Sequence, residues 1–349
     1  MQNRQEEFSG AEPVREGFEL DIPSLQAYME EHVAGFKGAI KVKQFKGGQS
    51  NPTYLIITEE KKYVLRRKPP GKLLKSAHAV DREYRIINAL QDTPVPVAKG
   101  YALCQDETVM GTWFYIMEHV EGRIFWTIED IPKKDRFEIC MAMNETLANL
   151  HQVDYKSLGL NDYGKTGNYF ERQISRWSKQ YEDSKDQVYT AMESLIDWLK
   201  NHVPQNDETT IVHGDFRLDN MIIHPTENRI LAVLDWELST LGHPLSDFSH
   251  LCLAWRSPHG IGGGLAGLDL KTNNIPTEEE YVEAYCSRMG IKTIDNWDYY
   301  MAFNLFRVAA IAFGIMGRVR DGTATSKSAV ANAQMAAPIS EFALAQIKQ

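Results

Sequence analysis

The stretch IVHGDFRLDNMIIH (211–224) decides how the rest of the chain is read. Two short apolar runs bracket a polar turn, and such runs bounded by turn residues read as strands. Within the turn, His213, Asp215 and Asn220 follow the spacing H-x-D-x-x-x-x-N. An aspartate so placed can take the proton of an attacking hydroxyl during phosphoryl transfer. The asparagine can turn back and offer its carbonyl oxygen to a magnesium ion on the phosphates. Fifteen residues past Asn220, the apolar run ILAVLD (230–235) ends on Asp235, spaced to be the second metal ligand. Magnesium takes one or two carboxylates plus phosphate oxygens, so Asn220 and Asp235 suffice. Arg217 is a candidate to neutralise charge on the transferring group. His213 reads as a structural hydrogen-bonder rather than a base.

The bulk properties suit a globular enzyme. A chain of 349 residues is too long for one small core and predicts two lobes. Its net charge of −9 hides an asymmetry: residues 38–100 hold thirteen Lys and Arg against five Asp and Glu, a surplus of +8, leaving −17 elsewhere. A basic lobe beside an acidic remainder suits a small anionic ligand and argues against a nucleic-acid partner. The most apolar stretch, VAAIAFGIM (308–316), is flanked by Arg307 and Arg318 and reads as a buried helix, not a membrane span. The first residues lack a signal-peptide core. Cys104, Cys140, Cys252 and Cys286 form no C-x-x-C pair and read as reduced buried thiols, which predicts a cytoplasmic setting.

Along the chain, 1–21 is a polar lead-in. IPSLQAYMEEHV (22–33) has helical spacing with Pro23 in its first turn. AIKVKQF (39–45), TYLIIT (53–58), KYVLRR (62–67) and WFYIMEHV (113–120) read as strands, and VDREYRIINALQ (80–91) as an amphipathic helix. KPPGKLLKSAHA (68–79) is a basic flap broken by Pro and Gly. Beyond EGR (121–123) the patterns at 136–152, 169–182, 277–290, 299–318 and 326–348 are helical, with a strand-rich island at 209–236. The expected architecture is α+β: an antiparallel-sheet lobe with one helix (22–120) and a larger, mainly helical lobe (121–349).

HGDFRLDN followed by LDW resembles the aminoglycoside phosphotransferase and choline kinase superfamily, small-molecule relatives of protein kinases. The resemblance covers roughly residues 35–320 and implies a bilobal protein-kinase-like fold. YVLRRKPPG, YFERQISRW and DWELSTLGHP further resemble the kinase-like domains fused to acyl-CoA dehydrogenases and their stand-alone bacterial relatives. The resemblance implies an ATP- and magnesium-dependent phosphotransferase acting on a hydroxyl of a small molecule, with a hydroxyacyl-CoA as one acceptor. It assigns KGGQSNPTY (46–54) as the loop over the phosphates, with Gly47 and Gly48 freeing backbone N–H groups and Ser50 and Asn51 adding donors. Arg66 falls where kinases have their phosphate-anchoring lysine, and Glu83 where they have its helix partner; the forked guanidinium makes that exchange workable. Whether Arg66 or Arg67 meets phosphate stays open. MEHVEG (117–122) resembles the adenine-binding hinge, with backbone contacts at Met117 and Val120. Asp247 resembles the acid that braces the catalytic loop.

Three other readings compete. GLNDYGKT (159–166) matches the P-loop pattern G-x-x-x-x-G-K-T, which with ILAVLD would make a P-loop NTPase. A P-loop must follow a buried strand, and here a helix end and polar loop precede it, with Lys165 expected in a loop between helices. A kinase-like module that binds nucleotide without transfer would lack Asp215, Asn220 or Asp235, and all three are present. An aminoglycoside or other amino-alcohol acceptor keeps the chemistry and suits the acidic second lobe. The basic cluster Arg67, Lys68, Lys72 and Lys75 could instead meet the phosphates of a CoA moiety.

Overall fold

The computed structural model describes residues 10–46, 51–69, 78–259, 263–324 and 328–347. The chain forms two compact units. The first comprises the chain up to Tyr163 together with Asp215–Ser239 and Thr272–Ile275; the second comprises Gly164–Gly214, Thr240–Lys271 and the chain from Pro276 on.

In the first unit, β1 (Ala11–Glu12), α1 (Ile22–His32), β2 (Lys41–Phe45), β3 (Thr53–Ile57), β4 (Lys62–Arg67), α2 (Val80–Leu90), β5 (Gly100–Cys104), β6 (Phe114–Glu118) and α3 (Arg136–Gln152) follow in order. The sheet order is β1-β2-β3-β4-β6-β5, antiparallel throughout. Asp21 caps α1 by accepting from the Ser24 amide at 3.2 Å, and Pro23 costs nothing in the first turn. Strand alternation then sorts the sheet. Tyr54, Ile56, Leu65, Phe114 and Ile116 pack with Leu25 and Met29 of α1 into a buried core. Each fully buried Leu, Ile or Phe there contributes about 1.5–3 kcal/mol. The alternate residues of β4 and β6 include Arg66 and Tyr115, which stand directly opposite each other.

Among the described residues α1, α2 and the single turn of helix Glu107–Met110 accompany the sheet, two more than the lobe-level reading named. β5 was not foreseen because it emerges directly from the Pro-broken TPVPVAKG segment with Gly as its first residue. Ala11–Glu12, inside the polar lead-in, pairs with β2 through backbone bonds that its composition does not advertise.

The first unit also holds a hairpin of Met221–Ile223 against Ile230–Val233, with Met221 opposite Val233. Arg123 pins its edge: Arg123 N–H donates to Ile223 O at 2.7 Å and Arg123 O accepts from Ile223 N–H at 2.8 Å. Gly122 is required beside it, since a Cβ there would collide with the Ile222 side chain and the Ile223 carbonyl.

The second unit is built around the helix Trp297–Arg320. It is long and apolar enough to cross a membrane by length and composition, but 72% of its most apolar window is buried in the protein, as a core helix is. Phe303 meets Phe170 of the helix Tyr169–Ser184 edge-on at 4.9 Å. The helix Thr190–Asn201 was missed by the sequence reading, which singled out no pattern there. Thr210–Val212 pairs antiparallel with Thr240–Gly242. The Ala-rich end forms helices Ala329–Gln334 and Ala336–Gln346.

Candidate active site

Arg66 is the hub of the first unit's polar interior. Its Nη2 lies 2.6 Å from Asp235 Oδ1 and 3.4 Å from Glu237 Oε2. Its Nε lies 2.8 Å from Glu83 Oε2, an ion-pair contact without the direction of a hydrogen bond. Glu83, on α2, is 1% exposed, so it is no solvated helix face. It accepts from Asn51 Nδ2 at 2.8 Å and from the Tyr115 hydroxyl at 3.1 Å. Burial, only partly offset by Arg66 and reinforced by the nearby charges of Asp235 and Glu237, lifts the Glu83 carboxyl to about 7. One guanidinium shared among three carboxylates cannot hold all three ionised at full strength. Burial works against the Arg66 charge too, but Glu83, Tyr115, Asp235 and Glu237 more than offset it, so its pKa is raised.

The HGD-x-x-x-x-N spacing becomes geometry through the hairpin. Asn220 N–H donates to Arg217 O at 3.0 Å, closing the turn, and Asn220 Nδ2 donates to Asp215 O at 2.9 Å and to Asp215 Oδ2 at 3.1 Å. This fixes one end of the amide on Asp215 and makes Oδ1 the end available to a cation. Leu234 N–H then donates to Asn220 O at 2.8 Å, so the residue before Asp235 is tied to the Asp215–Asn220 turn. Asp235 has φ 64° and ψ 55°, the left-handed region where a non-glycine residue is strained by roughly 1–3 kcal/mol. Arg66 and the flanking ladder hold it there.

In the second unit, Asp247, fully buried in the first turn of the helix Pro244–Arg256, accepts the N–H groups of His213 at 2.5 Å and Gly214 at 2.9 Å. Arg307 donates to Gly214 O. These two residues directly precede Asp215 in the chain, so the brace acts on the backbone that leads into it.

Other expected residues stand differently. Asn51 is fully buried, donating to Glu83 and meeting His78 Nδ1 through its Oδ1 at 2.9 Å; its side chain supports the ion network and is not offered to a phosphate. Arg217 is held bidentately by Asp219, with Nε 2.6 Å from Oδ1, so it would have to leave that partner to meet a transferring group. Arg66, not Arg67, joins the carboxylates; the Arg67 guanidinium lies 5.8 Å from the Tyr54 ring centroid. Met117 lies within β6, flanked by Val64 and Gly100, while Val120 lies past the strand's end. Gly47, Gly48 and Ser50, and likewise Lys72 and Lys75, lie outside the described residues.

The sequence reading missed Glu237 and Tyr115. Glu237 had a signal, a second carboxylate two residues past Asp235. Tyr115 had none, because only the sheet register sets it across from Arg66. Phe45 and His119 also stack, with ring centroids 6.5 Å apart and 11° between planes. Among the described residues no group of three or more metal-ligating side chains is preassembled. The acid pair of Asp235 and Glu237 already shares a cation, the Arg66 guanidinium.

The P-loop reading is overturned by its setting. Helix α3 ends at Gln152, and only turns lead to Gly159. Carbonyls of this segment take guanidinium groups: Arg85 Nη2 donates to Gly159 O at 2.7 Å and Arg82 Nη2 to Tyr163 O at 2.6 Å. A phosphate loop must instead aim its amides inward. Lys165 is exposed in the loop between two helices, as expected.

Comparison with known proteins identifies the family. The model of the phosphotransferase enzyme family matches residues 41–294. Acyl-CoA dehydrogenase family member 10 of Mus musculus is 43% identical over 336 residues, covering 95% of this chain and 31% of that protein. The chain thus spans less than half the length of the acyl-CoA dehydrogenase relatives it matches. A crystal structure from Ralstonia eutropha JMP134, provisionally assigned as an aminoglycoside phosphotransferase, is 49% identical with a TM-score of 0.89, covering 95% of this chain and 99% of its own. Spectinomycin phosphotransferase, at 13% identity and a TM-score of 0.64 over 96% of this chain and 100% of its own, shares the fold. The chain belongs to the phosphotransferase enzyme family, as a small-molecule kinase on a protein-kinase-like fold.

Proposed function

We propose that this chain transfers the γ-phosphoryl group of ATP, with magnesium, to a hydroxyl of a small molecule, and that the acceptor is a hydroxyacyl-CoA. The observation that carries the transfer reading is the bonded run from Asp215 through Asn220 to Leu234, which sets Asp235 beside the Arg66–Glu83 pair. Asp215 takes the acceptor's proton, oriented by the Asn220 amide. Asn220 Oδ1 and Asp235, with Glu237 close by, would hold the metal; bound magnesium neutralises charge on the phosphate oxygens. Glu83 keeps Arg66 extended, so that Arg66 can exchange its Asp235 contact for a phosphate. The backbone at 117–120 and at Gly47 and Gly48, with Ser50, would receive the nucleotide. Catalysis of this kind is positioning and electrostatics, and needs no covalent intermediate. A cytoplasmic setting fits the buried free thiols.

The acceptor class is supported by the relatives, in which a similar segment shares a chain with an acyl-CoA dehydrogenase. An amino-alcohol or aminoglycoside is the second reading, supported by the fold shared with spectinomycin phosphotransferase, whose structure holds ADP and spectinomycin. Purified protein incubated with γ-labelled ATP and magnesium should label hydroxyacyl-CoAs and leave aminoglycosides and choline-like alcohols unlabelled. Transfer to the amines alone would replace the acceptor assignment. ATP binding without transfer to any hydroxyl would overturn the kinase reading.

A further inference from the structure

The turn that imitates a P-loop has a different job. Two arginines of α2, one helical turn apart, grip it. Arg85 meets Asp162 at 2.5 Å and Gly159 O at 2.7 Å, and Arg82 meets Tyr163 O at 2.6 Å with its guanidinium 4.3 Å from the Tyr163 ring centroid. Between them on the helix sits Glu83, turned the other way toward Arg66. Tyr163 is 1% exposed, and its hydroxyl lies 2.6 Å from Ser239 Oγ. Ser239 Oγ donates its only proton to Trp236 O at 2.5 Å, so Tyr163 is the donor in the bond between them. The Arg82 carbonyl, 3.3 Å away, shares the same phenolic proton. Arg82 Nη2 also reaches Ser239 O at 3.5 Å. One buried phenol therefore joins the backbone of the Glu83 helix to the loop that begins at Asp235.

We propose that Tyr163 is a positioning residue for phosphoryl transfer: the 159–163 turn bolts α2 to the 235–239 loop, so that Glu83, Arg66 and Asp235 are aligned before any ligand arrives. The proposal rests on the kinase reading for its catalytic consequence. In protein kinases the equivalent ion pair is made and broken by movement of its helix, which is how activity is controlled. Here the bolt removes that freedom. The site is built to be on whenever substrates are present, with control left to their concentration.

The test uses Tyr163→Phe, which keeps the ring and its guanidinium stack and deletes only the hydroxyl, with Ser239→Ala as a second variant removing the other end of the bond. Amide hydrogen exchange of the ligand-free protein reads the bolt directly. Both variants should speed exchange in 80–90 and 235–239 by up to about tenfold, the range of one hydrogen bond, with strands β2 and β3 unchanged. Affinity for the non-hydrolysable nucleotide AMP-PNP, measured with and without magnesium, reads the consequence. Tyr163→Phe should weaken binding by about threefold to tenfold with magnesium, and by less without it, where only the Arg66 contact is affected. No selective rise in exchange at 80–90, or a uniform rise across the first unit, would overturn the bolt. Equal loss with and without magnesium would make Tyr163 a fold residue only and overturn its positioning role. Wild-type protein that binds no AMP-PNP overturns the kinase reading and the catalytic consequence together, while the exchange arm still decides the bolt.

Discussion

Replacing Glu83 by glutamine removes one charge from the buried network while keeping its shape. Glu83 is 1% exposed, faces Arg66 at 2.8 Å, and receives hydrogen bonds from Asn51 and Tyr115. Burial lifts its carboxyl from 4.5 to about 7. The sign follows from linkage. A carboxyl whose folded pKa is raised contributes stability that is full below its unfolded pKa and lost as pH rises through the folded one. At about 1.4 kcal/mol per pKa unit, the rise from 4.5 to about 7 is worth roughly 3 kcal/mol, lost across the window from pH 4.5 to just above 7. Glutamine carries no proton to lose. Urea unfolding of wild type and Glu83→Gln at half-unit steps from pH 5 to 8 should show the variant gaining on wild type by about 3 kcal/mol as pH rises. Parallel curves would refute the reasoning, because they would mean that Arg66 fully compensates the burial of Glu83. Turnover should move the other way. The variant removes the buried ion-pair partner of Arg66 and leaves it to Asp235 and Glu237 alone; a loss of about 1.5–3 kcal/mol of transition-state stabilisation corresponds to about a 10- to 100-fold fall in kcat/KM.

Three more outcomes follow from the geometry. Asp215→Ala should abolish phosphoryl transfer while nucleotide affinity, measured by calorimetry, stays within about threefold, less than one hydrogen bond's worth; turnover near the wild-type rate would remove Asp215 from the proton-accepting role. Asp235→Ala should eliminate magnesium-dependent turnover, whereas Lys165→Ala, in the P-loop look-alike, should bind ATP like wild type; the reverse pattern would restore the P-loop reading. Asp247→Ala leaves the buried N–H groups of His213 and Gly214 without their carboxylate, so at about 1–3 kcal/mol each it should lower unfolding free energy by several kcal/mol. A change below about 1 kcal/mol would show that water replaces the carboxylate.

What the sequence conveyed, and what it did not, divides along a physical line. Strands β2 and β3 and helices α1, α2 and α3 were legible because burial of one face writes its period into the residue order, and β4 and β6, buried on both faces, because they are short β-branched and aromatic runs bounded by polar turns. The spacing among Asp215, Asn220 and Asp235 was legible because a turn and a hairpin of short strands leave little freedom in how the chain gets from one to the next. Tyr115 was not, since its place opposite Arg66 comes from the pairing of β4 with β6, a contact across roughly fifty residues of chain. The partners of Asn51 and Arg217 were not legible either. Each is a polar side chain near the chemistry, and composition cannot say that Glu83 claims the first and Asp219 the second.

GLNDYGKT shows why a pattern of residue types needs its backbone direction. A phosphate loop works because its amides converge at the start of a helix, where the partial positive charge of the helix end adds to them. The turn at 159–163 offers carbonyls instead, and carbonyls attract cations, so the partners it gathers are Arg82 and Arg85. Those arginines belong to α2, which carries Glu83. Polarity alone therefore converts a would-be phosphate site into an anchor for the helix that pairs with Arg66. The same inversion accounts for the fate of ILAVLD. Its Asp235 lies one residue past Leu234, whose amide is bound by Asn220, while Ser239, four residues past Asp235, is bound by Tyr163. The loop holding Asp235 is tied at one end to the Asp215–Asn220 turn and at the other to the imitation P-loop, and that double attachment is what keeps a strained aspartate aimed at Arg66.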